Sequence, residues 1–169
     1  MNYKTVSPKD FDFNPFTKIG SDWMLVSACD SKGSFNTMTA SWGGVGVLWN
    51  KNVFFCFVRP QRYTREFIDD SNHITLSFFD EDKRDSLALC GRKSGRDCDK
   101  IKEARLTPTV ENEKVFFEEA RVTLVGKKLF RQEMTPDSFI DTSLIDKNYP
   151  LDDFHITYIC EIEEIRVAI

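Results

Sequence analysis

The stretch from residue 36 to 64 contains the side chains best suited to bind a planar ring and an anion. It begins with small hydroxyl and amide residues, continues through a Trp-Gly-Gly turn and an apolar run, and ends on two arginines around a proline. On a strand, alternate side chains share a face. One face would carry Asn36, Met38, Ala40 and Trp42, and the other Thr37, Thr39 and Ser41. The pattern alone favours an ordinary half-buried strand with a solvated Thr/Ser face over a wall for a heteroaromatic ring.

Two loops rich in cations could bind a phosphate. The first follows the apolar run and opens a predicted helix, where guanidinium groups and free backbone amides both favour an anion. The second contains cations, glycines and a serine. Solvated surface loops are the alternative for each, but two such loops in a chain of net charge −4 are more suggestive than one. Their candidate residues are Arg59, Arg62, Tyr63 and Thr64, then Ser94, Gly95, Arg96 and Lys100.

The chain offers no set of residues for hydrolysis by protein groups alone. Its two histidines are His73, at a predicted strand start, and His155, which could face a site or an interface. No Ser-His-Asp order, zinc-protease motif or pair of catalytic carboxylates stands out. We therefore expect no catalytic side chain and no metal site. A cofactor that brings its own reactivity fits the chain better.

Composition predicts a single soluble domain over residues 1–169. The net charge of −4 gives no case for nucleic acid or an anionic membrane. The longest apolar run, 53–58, is too short to cross a bilayer, and the first residues lack the apolar segment of a signal peptide. The five cysteines are odd in number and form no Cys-x-x-Cys pair, so we expect free thiols and a reducing cytoplasm.

Strands dominate the elements that must position these residues. Thr64 and Thr135 are each predicted to cap a helix, and two further helices are predicted over 85–91 and 98–105, the last with Asp97 as its cap. Strands are predicted over 23–28, 35–42, 52–58, 73–79, 115–117, 121–131 and 154–167.

Three further segments complete the prediction of a mainly β fold. Residues 1–19 are expected to form an arm that packs through its phenylalanines, and 43–46 a glycine-rich mobile turn. The strand 52–58 is apolar on both faces, so a helix or a partner subunit should cover it on either side. Together these elements predict a closed antiparallel barrel with short helical insertions rather than a doubly wound parallel sheet.

The chain resembles the flavin reductase-like family, of the flavoredoxin type, over residues 16–165. Four segments in the order and spacing of the family carry the resemblance. These are Asn36-Thr-Met-Thr-Ala-Ser-Trp42, Val58-Arg-Pro-Gln-Arg-Tyr-Thr64, Ser94-Gly-Arg-Asp97 with Lys100, and Asp153-Phe-His155 with Tyr158. The resemblance implies an FMN-binding split barrel, with six antiparallel strands in a Greek-key-like order. It also implies a homodimer with FMN near the subunit interface.

The resemblance also implies a role for each candidate residue. The segment 36–42 would line the isoalloxazine and ribityl chain, the loop 59–64 would bind the ribityl chain and phosphate, and 94–100 would close over the flavin. Ser77 and Phe79 would be neighbours of the same site. One departure is that Gly126 stands where many relatives carry a cysteine, so FMN binding here cannot depend on a thiol at that position.

Three functions stay open from the sequence. The first is an FMN-dependent oxidoreductase in which NAD(P)H reduces the flavin and the electrons pass onward. The second is a flavoredoxin-type carrier that keeps FMN bound and exchanges electrons with a redox protein partner. The third is a barrel that binds a ligand other than flavin, with His155 as a possible axial ligand to haem.

Overall fold

The computed structural model describes residues 2–169. Its strands are β1 (Tyr3–Thr5), β2 (Met24–Cys29), β3 (Phe35–Ala40), β4 (Gly43–Leu48), β5 (Lys51–Val58), β6 (His73–Phe78), β7 (Pro108–Glu111), β8 (Lys114–Phe117), β9 (Val122–Glu133) and β10 (Ile156–Ala168). Its helices are α1 (Pro15–Gly20), α2 (Thr64–Asp70), α3 (Arg84–Arg92), α4 (Lys100–Glu103) and α5 (Ser143–Asn148), with short 3₁₀ turns at Glu81–Lys83 and Pro136–Ser138. No helix within residues 2–169 has both the length and the apolar character needed to cross a membrane.

One antiparallel sheet forms a barrel that is open along a seam. The strand order is β3-β2-β6-β9-β10-β5-β4, with β1 added to the far end of β10 and with β7 and β8 forming a separate hairpin. The two end strands, β3 and β4, follow each other in the chain and are joined only by Ser41 and Trp42, yet they do not pair. The predicted mainly β, antiparallel fold is confirmed, and β4 adds a seventh strand to the path.

Apolar side chains pack on both faces of this sheet. Inside the barrel, residues such as Phe54, Leu76 and Tyr158 are fully buried together with two side chains from α2. Outside it, α3, α4 and β8 cover β2 and β6 with a second cluster around Leu25 and Leu87. Each large apolar side chain buried in this way contributes about 1.5–3 kcal/mol to folding. The second layer fixes the 84–100 segment beside β3.

The strand β5 is covered less evenly than its composition predicts. Phe54, Cys56 and Val58 are buried in the barrel, whereas Phe55 and Phe57 on the opposite face stay partly exposed. Within the single chain the outer face of β5 lies against a groove rather than a packed helix, so its coverage by a partner subunit stays a prediction.

The glycine run 43–46 is a strand, not a mobile turn. It pairs with β5 from Gly43 opposite Cys56 to Leu48 opposite Lys51. A Cβ on Gly44 would lie 2.7 Å from Cζ of Phe55, so glycine lets this ring lie flat on the neighbouring strand. The sequence pattern failed because these glycines serve close approach rather than chain reversal.

Helix starts differ from the prediction in three places. Thr64 is the first residue of α2 rather than its cap, and α4 is capped by Asp99 instead of Asp97 and ends at Glu103. After Thr135 only a 3₁₀ turn forms, and the helix α5 begins later. Each of these segments offers several polar residues in succession, so hydrogen bonding in the fold decides which one caps.

The N-terminal arm packs as predicted through two of its three phenylalanines. The rings of Phe11 and Phe13 stack 5.0 Å apart and contact the barrel core, whereas Phe16 is 88% exposed on α1. The arm also contributes β1, which pairs with residues Arg166 to Ala168 and was not predicted.

Gly126 lies where the barrel interior has no room for a side chain. A Cβ at this position would lie 2.5 Å from Cζ of Phe54 and 2.7 Å from Cβ of Cys160. Because Phe54 and Cys160 are fully buried, neither can move aside into solvent. The Phe54 ring therefore occupies the volume that a cysteine at position 126 would need.

Candidate functional site

A cleft of about 230 Å³ opens at the seam of the barrel, beside the Ser41-Trp42 junction. One wall comes from the end of β3, and the other comes from the end of β5, the loop that follows it, and the start of β10. Three of the four sequence segments that carry the family resemblance therefore meet here. The lining residues are Met38, Thr39, Ala40, Ser41, Trp42, Phe57, Arg59, Arg62 and His155.

The β3 wall is held from two sides. Met38 is packed into the barrel core, and Thr39 on the other face donates a 2.5 Å hydrogen bond to the carbonyl of Leu87 in α3. Ser41 and Trp42 continue past the strand, and the Trp42 ring is 45% exposed. Five consecutive residues, 38–42, therefore line the cleft, in the segment that the resemblance implies as the wall for a ring.

His155 forms the opposite wall as a neutral imidazole. Its ring centroid lies 5.1 Å from that of Trp42, and its Nδ1 is 2.8 Å from the hydroxyl of Tyr149. Burial, aided by the positive charge of Arg59, lowers the pKa of His155 from 6.5 to about 4. At neutral pH the ring therefore carries no charge, and its Nε2 makes no hydrogen bond within residues 2–169.

Two of the predicted phosphate-binding arginines already have carboxylate partners. Arg59 pairs with Asp153 at 2.6 Å and donates a 2.9 Å hydrogen bond to the carbonyl of Asn148. Arg96 pairs with Glu66, and its guanidinium lies 4.5 Å from the centroid of the Tyr63 ring. These contacts tie loops together, so neither arginine brings an unbalanced charge to the cleft.

Arg62 and Lys100, here called the cation pair, have no such compensation. Arg62 donates hydrogen bonds of 2.8 and 3.4 Å to the carbonyls of Gly91 and Cys90 at the end of α3. Lys100 is 3% exposed, and burial together with the charge of Arg62 lowers the pKa of its ammonium from 10.5 to about 8. Burial also lowers the pKa of Arg62. Among residues 2–169 no carboxylate lies within ion-pair distance of either cation.

A buried or half-buried cation without a counter-charge is costly, and an anion placed beside it would reduce that cost. Arg62 lines the cleft, whereas Lys100 is buried nearby and is not one of the lining residues. The cation pair therefore fits a phosphate.

Three segments that are distant in the chain meet next to the cleft. The Asn36 amide donates a 3.2 Å hydrogen bond to the hydroxyl of Thr64, and both side chains are buried. A Cβ on Gly95 would lie 2.7 Å from Oδ1 of Asn36, so the second loop touches β3 at a glycine. The structure thus brings Asn36, Thr64 and Gly95 together, although the Thr64 hydroxyl is already used in this contact.

Ten of the seventeen predicted site residues do not line the cleft. Asn36, Tyr63, Thr64, Gly95, Arg96 and Lys100 make the contacts described above, and the other four have contacts elsewhere. Thr37 accepts a 2.7 Å hydrogen bond from Ser27 on the outer face of the sheet, and the Ser77 hydroxyl lies 3.3 Å from that of Thr123. Phe79 packs against Phe117 and lines a separate cavity of about 550 Å³. The Ser94 hydroxyl accepts a 3.2 Å hydrogen bond from the backbone N–H of Arg96. Thr37 and Ser77 lie on the outer face of the sheet, because their strand neighbours Met38, Leu76 and Phe78 point into the barrel core.

Sequence reasoning did not select Phe57 and Tyr149. Phe57 ends the partly exposed face of β5, and the same alternation that buries Cys56 and Val58 directs it to the cleft. Tyr149 precedes the β10 strand and had no sequence signal, because its contact with His155 depends on how residues 134–154 fold. Within residues 2–169 no group of three or more His, Cys, Asp or Glu side chains could hold a metal ion.

Comparison with known proteins identifies this arrangement. The family model for the flavin reductase like domain matches residues 16–168. An FMN-binding domain of a flavin reductases-like enzyme from Shewanella baltica OS155 is 15% identical, with a TM-score of 0.68 over 98% of this chain and 77% of that one. The flavoredoxin of Desulfovibrio vulgaris (Miyazaki F) is 20% identical, with a TM-score of 0.66 over 86% of this chain and 69% of that one.

A flavoredoxin from Methanosarcina acetivorans is similar to the same degree, with 15% identity and a TM-score of 0.67 over 94% of this chain and 75% of that one. No curated protein matches the sequence. The structural relatives confirm the predicted split barrel, and the family model confirms the resemblance found in the sequence. The chain belongs to the flavin reductase-like domain family.

Proposed function

We propose that this protein is an FMN-binding oxidoreductase that uses NAD(P)H as its reductant. The observation that carries the proposal is the cation pair, the half-buried Arg62 and the buried Lys100 without a carboxylate partner, beside a cleft walled by Trp42 and His155. A ligand with a planar ring and a phosphate would satisfy both features at once. Membership of the family supports the choice of FMN among such ligands.

The chain's own residues suit FMN in three respects. The cation pair would hold the phosphate, residues 38–42 would form a wall for the ring, and the contact of Gly95 with Asn36 would hold the second loop over the site. When bound, FMN supplies a ring that accepts hydride at N5 from a reduced nicotinamide and releases the electrons to an acceptor. The protein then needs only to bind, orient and shield the flavin.

His155 is suited to contact the ring without adding charge. Its pKa of about 4 keeps it neutral, and Tyr149 fixes the ring through Nδ1. The free Nε2 is left to make a hydrogen bond inside the cleft. The half-exposed Trp42 leaves the cleft open to a second substrate.

Titration of FMN into flavin-free protein tests the proposal. We expect saturable quenching of flavin fluorescence at one FMN per chain, and binding of riboflavin at least about 10-fold weaker because it lacks the phosphate that the cation pair would bind. Oxidation of NADH or NADPH with excess FMN then tests turnover. Purified protein that neither carries nor binds FMN would contradict the proposal.

The second candidate is an electron carrier with tightly bound FMN and a redox protein partner. The fold similarity to two flavoredoxins, over 86% and 94% of this chain, favours it as the alternative. A carrier would bind FMN equally well but would not oxidise NAD(P)H in the presence of free flavin. The steady-state assay therefore separates the two.

We also propose that the protein forms a homodimer and that an apolar patch at the β4-β5 turn contributes to its interface. Val47, Leu48 and Trp49 are exposed there beside Leu129 and Phe130, and the ring centroids of Trp49 and Phe130 are 6.1 Å apart. Trp49 adopts φ 52°, a left-handed conformation that is unfavourable for a bulky residue and normally taken by Asn or Gly in such turns. An exposed tryptophan in this conformation fits an interface better than a free surface.

Sedimentation of two variants tests the dimer. Trp49→Asn removes the ring and keeps a residue that the turn accepts, so it should dissociate a dimer without unfolding the chain. Leu151→Asn, which removes an 81% exposed side chain outside the patch, is the matched control. A wild-type monomer, or a dimer that survives Trp49→Asn, would contradict the proposal.

A further inference from the structure

The hydroxyl of Tyr149 is held in one place by the packing of its ring. The ring stacks on that of Phe154 at a centroid distance of 4.8 Å, and the ring of Phe139 lies edge-on at 5.7 Å. The guanidinium of Arg59 lies 5.2 Å from the same centroid. Tyr149 is only 5% exposed, although it comes directly after the short helix α5. A side chain packed in this way cannot swing its hydroxyl aside without losing these contacts.

Two acceptors lie within reach of this hydroxyl. Nδ1 of His155 is 2.8 Å from the hydroxyl oxygen, and the sulfur of Met134 is 3.7 Å from it. A tyrosine hydroxyl has one proton to donate, and a thioether sulfur is a much weaker acceptor than an unprotonated imidazole nitrogen. The shorter contact also has the normal length for a hydroxyl donor. The hydroxyl therefore donates to Nδ1, which then carries no proton.

With Nδ1 unprotonated, the single proton of a neutral imidazole has to be on Nε2. Burial, with a smaller contribution from the charge of Arg59, lowers the pKa of His155 to about 4. The other charged group beside the ring is the carboxylate of Asp153, which is paired with Arg59 at 2.6 Å. The ring is therefore neutral at pH 7, and its one N–H is at Nε2.

Nε2 is also the atom of His155 that stays open to the cleft. It has no hydrogen-bond partner within residues 2–169, and it is not one of the fully buried polar atoms without a partner, unlike Nδ1 of His73. The rings of Trp42 and Phe57 lie beside the imidazole at centroid distances of 5.1 and 6.5 Å. The N–H at Nε2 is therefore a donor left for a ligand in the cleft.

From this geometry we propose that Tyr149 is a positioning residue. It fixes the proton of His155 on Nε2, so that the histidine donates a hydrogen bond to a carbonyl oxygen of the ring bound in the cleft. The inference rests on the proposed function, in which this ring is the isoalloxazine of FMN. A hydrogen bond to a charged acceptor is stronger than one to a neutral acceptor, so this donor should favour the reduced, more electron-rich ring over the oxidised one. His155 keeps its proton throughout.

The ¹⁵N NMR spectrum of the flavin-free protein tests the tautomer without any ligand. Protonated and unprotonated imidazole nitrogens have widely separated shifts, and the chain has only two histidines, so His73→Gln assigns the signals. At pH 7 we expect a protonated Nε2 and an unprotonated Nδ1 for His155. Tyr149→Phe keeps the stacked ring but leaves the Met134 sulfur as an acceptor near Nδ1, so most of the proton should move to Nδ1. Met134→Leu, the matched control, should leave it on Nε2.

The midpoint potential of bound FMN tests the consequence of the tautomer. In Tyr149→Phe the preference of the protein for reduced over oxidised FMN should fall about 10-fold, which equals a drop of about 30 mV for a two-electron couple. Met134→Leu should keep the wild-type potential. A change that only loosened the packing around Tyr149 would weaken the binding of both forms of FMN alike and leave the potential where it was.

Three results would overturn the inference. They are a proton on Nδ1 in the wild-type protein, an unchanged tautomer in a folded Tyr149→Phe variant, and a variant whose KM for the nicotinamide rises at constant potential, because the donor would then serve the reductant. The wild-type spectrum decides the tautomer even if Tyr149→Phe does not fold. A wild-type protein with the expected spectrum that fails to bind FMN would overturn the proposed function and the flavin as acceptor, but not the role of Tyr149 in fixing the proton.

Discussion

Lys100→Met should remove a pH dependence of FMN binding that the wild-type protein shows. In the free protein the pKa of Lys100 is lowered to about 8 by burial and by the nearby charge of Arg62. Relative to the ordinary value of 10.5, the charged ammonium is disfavoured by about 3 kcal/mol in the fold. Because nothing in residues 2–169 neutralises this charge, a bound phosphate should return the pKa toward 10.5 or above.

The size of the effect follows from these two values. At pH 7 the free ammonium is already protonated, but at pH 9 only about one tenth of it is, so binding must then take up a proton. The Kd for FMN should accordingly rise about 10-fold from pH 7 to pH 9. Riboflavin, which has no phosphate, should show little of this change. Lys100→Met should bind FMN more weakly at pH 7 and with an almost flat profile.

Stability provides an independent readout of the same group. A lysine whose pKa falls on folding lowers the free energy of unfolding at any pH where it is protonated in both the folded and the unfolded protein. For Lys100 this destabilisation disappears as the pH rises from about 8 to 10.5. Lys100→Met should therefore stabilise the flavin-free protein at pH 7 by about 1–3 kcal/mol. The control is Lys102→Met, which removes an exposed lysine from the same short helix. It should change neither the pH dependence of FMN binding nor the stability of the flavin-free protein. A wild-type Kd that is constant between pH 7 and 9 would refute the reasoning.

Three other predictions concern the barrel and the ligand. The pKa of His155 is lowered from 6.5 to about 4, so acidification from pH 7 to 4.5 should lower the free energy of unfolding by about 2 kcal/mol through this group. Urea unfolding of His155→Gln at both pH values should lack that decrease. Gly126→Ala should destabilise the fold by about 1–3 kcal/mol, because its Cβ would meet the buried Phe54 ring, and no loss of Tm would contradict this packing. FMN at 100 times its Kd should stabilise the protein by about 2.7 kcal/mol, and a calorimetric Tm without any increase would indicate that the native state does not bind it.

The strands were predictable because their sequence signals are local. Alternation and turn residues located β2, β3, β5, β6, β8, β9 and β10, with boundaries that differ from the structure by a few residues. The strand β4 was missed because Gly43 and Gly44 resemble a turn until the neighbouring Phe55 ring is known. The strand β1 was missed because it is stabilised by pairing with a segment more than 160 residues away, which no local pattern reveals.

The candidate site was predictable in its segments but not in its partners. Residue types located the wall 38–42 and the loops around Arg62 and Lys100, and the structure places these segments together. Sequence could not show that Arg59 is paired with Asp153 and Arg96 with Glu66, since those carboxylates lie 94 and 30 positions away. Charge compensation, which decides which cation is left for a ligand, is a property of the packed fold.

The contact between Gly126 and Phe54 has an evolutionary consequence. The two residues share one volume, so a side chain at position 126 and a phenylalanine at position 54 exclude each other. Substitutions at these positions should therefore occur together across the family: a relative with cysteine at the first should carry a smaller residue at the second. A cysteine introduced here as a single change should disturb the barrel, whereas the paired change with Phe54→Leu should be tolerated. Glycine at position 126 would then have replaced cysteine together with a larger side chain at position 54, rather than by itself.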